Sequence, residues 1–266
     1  MKRIVIPTDF SDNSIHAIDF AVNTLGDEDC LFTVLHVYQI PQGGQSGLFY
    51  LLEEMQKQAT SDMEDLMKKL ANRFTHQPKI ESKVLQGDLS DQTNAYAKEV
   101  GADCVVMGTK GATGLKEVLI GSNAVKLMGS LKLPMYAIPA ELETRSIKEV
   151  MVAYDGQEPI ESVAQSVIFY PKKHQLPLTF FHVKTKDGKE VENWTQIKDA
   201  FNVVNPELVE IEAEEFEEGL EKITAGKETL LVLIRHKKSF WERLFNISDS
   251  RKALMHAKLP VLVIPE

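Results

Sequence analysis

Short apolar runs alternate with stretches of helical spacing along this chain from its first residues. Residues 3–7 are almost wholly apolar, as a strand buried on both faces must be. Residues 12–25 then place Ile15, Ile18, Ala21, Val22 and Leu25 at helical intervals. A second apolar run covers 31–37. Leu51, Leu52, Met55, Met63, Leu66, Met67 and Leu70 predict a long amphipathic helix over 51–74. A third strand is expected near 80–85 and a helix over 91–100. Fourth and fifth strands are expected at 104–107 and 135–138, flanking a helix that begins near Ser122. Such alternation predicts right-handed crossovers and a mostly parallel sheet covered on both faces by helices. Ligands of these sheets bind beyond the carboxyl ends of the strands.

The pattern then repeats. LKLPMYAIPA at 131–140 has a partner in AKLPVLVIPE at 257–266, and residues 105–139 slide onto 231–265 without a gap at an offset of 126. Ser122 falls on Ser248, Leu133 on Leu259 and Pro134 on Pro260. The starts match at an offset of 146, where RIVIPTD meets EVMVAYD and LFTVLHV at 31–37 meets PLTFFHV at 177–183. The fall from 146 to 126 places a 20-residue deletion in the middle of the second copy. Two copies make a tandem pair, not a solenoid. Domains are expected at 1–140 and 147–266, with AELETRS at 140–146 as a short polar joint.

The length of 266 residues suits two such domains. A hydrophobic content of 43% and a charged content of 26% are those of an ordinary globular protein. The net charge of -9 argues against nucleic acid or an anionic membrane as partner, while leaving room for a small anion at a local positive site. Cys30 and Cys104 are the only cysteines and lie in apolar runs, so neither a disulfide framework nor a metal cluster is expected. MKRIVIPTDF turns polar too soon for a signal peptide, and no apolar run is long enough to span a membrane. The expected compartment is the cytoplasm.

Chemistry concentrates after the fourth strand. Met107, Gly108, Thr109, Lys110, Gly111, Ala112, Thr113 and Gly114 form a glycine-rich stretch, and Gly121, Ser122 and Asn123 then open a helix. Glycines let backbone N–H groups approach an anion with no Cβ in the way. The unpaired N–H groups and positive end of a helix favour phosphate. Ser122 is expected to be the N-cap, or to bond a phosphate oxygen instead. A turn that needs glycines only for its backbone would look the same. The GxxxxGK[ST] spacing is missing, and GxGxxG fails because Lys110 stands where its second glycine belongs.

Gly108, Gly111, Gly121 and Ser122 fit G-x2-G-x9-G-[ST], and by that spacing the chain resembles the universal stress protein family. IVIPTDFS resembles the family's first strand with its Asp, LHV at 35–37 the end of its second, and LPMYAIP its last. The resemblance implies two tandem Rossmann-like (adenine nucleotide alpha hydrolase-like) domains, each an open five-stranded sheet. It also implies roles for residues. Pro7, Thr8 and Asp9 would border adenine and ribose, and Val37 would offer backbone contacts to adenine. Met107, Gly108, Thr109, Lys110, Gly111, Thr113 and Gly114 would wrap ribose and phosphates, with Ser122 and Asn123 on the outer phosphates. ATP would bring Mg²⁺, held mainly through phosphate oxygens and water. Family members dimerise through their last strands, so 135–138 and 261–264 would pair within the chain as a pseudo-dimer, with a homodimer of chains also open. Expected functions are an ATP-binding regulatory or stress-response protein, a slow ATP hydrolase, or a nucleotide-free scaffold. No catalytic residue and no protein-held metal is assigned; Lys116 and Glu117 lack an evident catalytic arrangement.

The second copy has lost the pattern. Gly108, Gly111 and Gly121 correspond to Ile234, Lys237 and Ile247, with only Ser248 kept. Isoleucine resists positive φ and puts methyl groups where phosphate would lie. Pro7 and Thr8 become Ala153 and Tyr154, Asp155 is retained, and Phe240, Trp241 and Phe245 crowd the loop. This copy is expected to fold without binding ATP; the alternative is a new anion site at Arg235, His236, Lys237 and Lys238. His36 and His182 hold matching strand ends, and one histidine per domain gives no chelating cluster. The glutamates of 210–221 read as a solvated face, and GGQSG at 43–47 as a loop or a lid.

Overall fold

The computed structural model describes residues 1–26, 29–39, 48–110, 121–140, 142, 147–154, 163–185, 194–235 and 259–265. Contacts divide the chain into two units, Met1–Leu133 and Pro134–Glu266.

The first unit is built on strands β1 (Lys2–Pro7), β2 (Cys30–Tyr38), β3 (Lys79–Gln86) and β4 (Cys104–Gly108), in the order β3-β2-β1-β4. Every pairing in this set is parallel. The central strand β1 buries Ile4, Val5 and Ile6 in succession, which explains its unbroken apolar run. Four helices follow the strands: α1 (Asp12–Phe20), α2 (Leu48–Ala71), α3 (Leu89–Val100) and α4 (Ser122–Ser130). The helix expected over 12–25 is in fact α-helical only to Phe20 and continues as a π turn over Ala21–Leu25. Helix α2 starts and stops three residues earlier than the hydrophobic spacing predicts. It buries Ala59, Met63, Leu66 and Leu70 along one face. Asp88 caps α3 by accepting from the N–H groups of Ser90 and Asp91, and Gly101 ends it at φ 64°.

The second unit contains β5 (Met135–Ile138), β6 (Glu149–Ala153), β7 (Leu178–Lys184), β8 (Glu207–Glu212), β9 (Thr229–Arg235) and β10 (Val261–Pro265). The order is β5-β10-β9-β6-β7-β8. All neighbours run parallel except β5 and β10, which pair antiparallel with Tyr136 opposite Leu262. The fifth strand of the first copy therefore lies in the unit of the second, against that copy's own fifth strand. Helices α5 (Ala164–His174), α6 (Trp194–Ala200) and α7 (Phe216–Thr224) complete the described part. The seven residues of α6 stand where the first copy has the 24 of α2, which is where the deletion falls. Phe180, Phe181 and Phe201 are fully buried. Among the described residues no helix is long and apolar enough to cross a membrane.

Candidate functional site

The chain runs from β1 to β2 and β3 on one side of the first sheet, while β4 takes the other side of β1. The order of strands reverses between β1 and β4, and sheets of this kind bind ligands beyond the carboxyl ends at such a point. Val5 lies opposite Val105 and Pro7 opposite Leu35, so the ends of β1, β2 and β4 emerge side by side. They carry Pro7, Thr8 and Asp9, then Val37, then Met107, Gly108, Thr109 and Lys110. The topology brings these predicted residues to one edge.

The turn after β1 is held by its own hydroxyls. The Thr8 carbonyl accepts from Nδ1 of His36 at 2.8 Å, which requires that nitrogen to carry a proton. The Ser14 hydroxyl donates to the Ser11 carbonyl at 2.8 Å, so it accepts from the Thr8 hydroxyl, also at 2.8 Å. Thr8 Oγ1 accepts in turn from the Phe10 amide at 3.0 Å. Thr8 is 6% exposed, and its hydroxyl is spent on the turn. The Ser11 hydroxyl donates to Asp9 Oδ1 at 2.5 Å and accepts from the Ser14 amide at 3.3 Å, capping α1. Asp9 remains exposed, oriented by this bond and by the Ser11 amide at 3.1 Å. Phe10 adopts φ 64°, a rare backbone state for a bulky residue, and its ring lies 4.4 Å from that of His36.

The loop after β4 has a defined neck. The Gly121 amide donates to the Thr109 carbonyl at 2.6 Å, closing the chain between them. The Lys110 amide donates to Oδ1 of Asn13 at 2.6 Å. A Cβ on Gly108 would lie 2.7 Å from Asn13 Oδ1 and 2.8 Å from its carbonyl oxygen, so only glycine lets α1 come this close. Gly121, not Ser122, is the N-cap of α4; Ser122 is its first helical residue. The glycine takes the extended φ/ψ of a cap (−67°, 151°), which displaces the serine one position inward. No side chain among the described residues caps the helix, and Ser122 and Asn123 are exposed at its start. Thr109 is 4% exposed, and its buried hydroxyl has no hydrogen-bond partner among the described residues. Gly111, Thr113 and Gly114 lie outside the described residues, as do Lys116, Glu117 and 43–47.

Sequence reasoning missed Asn13, which sits within a helix start that needs no such residue for capping. The Thr8 side chain serves the turn as well. The Cys104 thiol is pushed up to about 12 by burial, so no thiolate is available there near neutral pH. Among the described residues no group of His, Cys, Asp and Glu could hold a metal ion.

The corresponding edge of the second unit is built differently. His182 Nδ1 donates to the Tyr154 carbonyl at 2.8 Å, repeating the first unit's tie. Tyr154 stands where Thr8 stood and is 5% exposed. Its ring packs 5.8 Å from Trp194 and edge-on to Phe180 at 6.5 Å. Ile234 is buried at the end of β9. Arg235 is half-buried, and burial lowers its guanidinium pKa. Asp155, His236, Lys237, Lys238, Phe240, Trp241, Phe245, Ile247 and Ser248 lie outside the described residues.

A doubly wound α/β domain, with a glycine-flanked loop leading into a helix at its switch point, is the class that this fold and edge define. Residues 1–139 match the sequence profile of the universal stress protein family. The chain belongs to that family. Universal stress protein MJ0531 of Methanocaldococcus jannaschii is 31% identical over 140 residues, covering 52% of this chain and 81% of that protein. A universal stress protein from Archaeoglobus fulgidus shares the fold over 99% of this chain and 96% of its own, at 20% identity and a TM-score of 0.71. Another universal stress protein, solved in complex with cAMP, is 18% identical over 52% of this chain and 96% of its own, with a TM-score of 0.33.

Proposed function

We propose that this chain is an ATP-binding regulatory protein of the stress response, with nucleotide held by the first copy alone. The observation that carries the reading is the neck at Thr109 and Gly121. A buried hydroxyl without a partner costs stability unless something supplies one, and among the described residues Thr109 presents such a hydroxyl beside a helix start that no side chain caps. A phosphate or ribose oxygen meets both needs. Gly108, Thr109 and Lys110 at one end of the loop and Gly121, Ser122 and Asn123 at the other would hold the phosphates, with Gly111, Thr113 and Gly114 between them. Asp9, exposed and oriented by Ser11, would accept from ribose hydroxyls, and the backbone at Pro7, Thr8 and Val37 would border adenine. Mg²⁺ would arrive with the nucleotide, on phosphate oxygens and water.

The second copy supplies the contrast. Tyr154, packed against Trp194 and Phe180, fills its strand ends with side chain, and Ile234 replaces the glycine that admits α1 in the first copy. The antiparallel pairing of β5 with β10 supports a pseudo-dimer made within one chain. The net charge of -9 favours neither nucleic acid nor an anionic membrane as partner, and the cytoplasm suits a nucleotide sensor.

Calorimetric titration of the nucleotide-stripped protein with Mg-ATP tests this reading. One site per chain is expected. Two sites would refute the assignment of an inactive second copy, and no binding would leave an interaction scaffold. Phosphate release, followed in parallel, is expected to stay at background; sustained turnover would make the protein a hydrolase.

A further inference from the structure

We propose that Asn13 is a positioning residue for the loop that follows β4, fixing through the Lys110 amide the point at which that loop leaves the sheet. The inference rests on reading the loop as a nucleotide site. Asn13 lies in the first turn of α1, 97 residues from Lys110 in the chain, and is 6% exposed. Its Oδ1 accepts from the Lys110 amide at 2.6 Å. Gly108, two residues before Lys110, is the position where a Cβ would strike both Oδ1 and the backbone carbonyl of Asn13. The absent side chain and the side-chain acceptor thus form one device: the first admits α1, and the second uses that proximity to grip the loop.

Asn13 also joins the two halves of the edge. Helix α1 is capped by Ser11, whose hydroxyl orients Asp9, and its Ser14 hydroxyl is bonded to Thr8. The same rigid turn that presents Asp9 therefore sets the backbone of Lys110. Displacement of a binding group by a fraction of an ångström weakens its contacts with a ligand, so a site built on two loops gains from a tie between them. The second copy bears on this directly. At the offset that pairs Asp9 with Asp155, Asn13 meets Pro159, which has no side-chain acceptor, and Gly108 meets Ile234. Both parts of the device are lost together.

The test compares the full-length protein with Asn13→Ala and Asn13→Asp, each titrated with Mg-ATP and with adenosine. Exchange of the Lys110 amide is followed by NMR in the same samples. In Asn13→Ala the preference for ATP over adenosine should fall at least about tenfold, the scale of one well-made hydrogen bond, while adenosine affinity holds within about threefold. Its Lys110 amide should exchange at least about tenfold faster. Asn13→Asp, which keeps an acceptor of the same reach, should restore slow exchange. A folded Asn13→Ala protein with the wild-type ATP preference, or with unchanged exchange at Lys110, would overturn the inference and leave the nucleotide site standing. Absence of any ATP preference in the wild type would overturn the site and, with it, this role for Asn13. If Asn13→Ala does not fold, Asn13→Leu, close to asparagine in shape and without a polar atom, withdraws the acceptor, and the same outcomes decide.

Discussion

The imidazole of His36 is bonded through Nδ1 to the carbonyl oxygen of Thr8 at 2.8 Å, locking the end of β2 to the residue that follows β1. His182 and Tyr154 repeat the bond at the same distance in the other copy. The tie survives even where Thr8 has become tyrosine, because the backbone carbonyl, not the side chain, is the acceptor. The histidines of the paired LHV and FHV segments thus share one structural task.

His36→Ala should cost about 1–2 kcal/mol through this bond and the lost ring contact with Phe10. Urea denaturation monitored by circular dichroism reads the change, and a midpoint equal to that of the wild type would show the tie to be idle.

Gly108→Ala places a methyl group against Asn13, whose nearest atoms include backbone. Overpacking of this kind costs about 1–3 kcal/mol. The variant should lose stability and ATP affinity together. Gly111→Val, by contrast, is expected to abolish binding and leave the melting temperature unchanged, so paired titration and melting curves separate a packing glycine from a binding one.

Tyr154→Ala should destabilise the protein by about 3 kcal/mol, as removal of a buried aromatic ring does, without creating a second nucleotide site. Stoichiometry by calorimetry remains one per chain on this view. A rise to two would show that the tyrosine alone keeps the second copy closed.

Asp88 caps α3 and pairs with Lys126 on α4 at 2.7 Å. The Lys126 ammonium first, and then the Asp91 and Ser90 amides, hold its carboxyl below the ordinary value of 3.8. A carboxylate depressed by folding stabilises the protein above that ordinary value and ceases to do so as pH falls through its folded pKa. Asp88→Asn should therefore melt lower than the wild type at pH 7, with the gap closing in acid. A gap that persists below the folded pKa would point to some cause other than charge.

Much of this was legible in the sequence because strands buried on both faces announce themselves as apolar runs, and β1, β2 and β4 all do so. The place of Gly108 at the end of β4 and of Gly121 at the start of α4 was legible because both follow from local pattern. Asn13 was not: its partner lies 97 residues away, and nothing at a helix start distinguishes an asparagine that grips a distant amide from one that faces water. The cap of α4 was misplaced for a related reason. Glycine and serine are both good N-caps, and the choice fell to the extended backbone of Gly121, which only the closed neck reveals.

The strand Met135–Ile138 belongs by sequence match to the first copy and by pairing to the second unit. Anyone dissecting the protein at the repeat boundary, after Ala140, would strip β10 of its antiparallel neighbour and leave a bare row of main-chain donors and acceptors open to aggregation. A cut ahead of Pro134 would spare that pairing. Halves that match in sequence are therefore not interchangeable parts, since a strand matched to one is a pairing partner within the unit of the other.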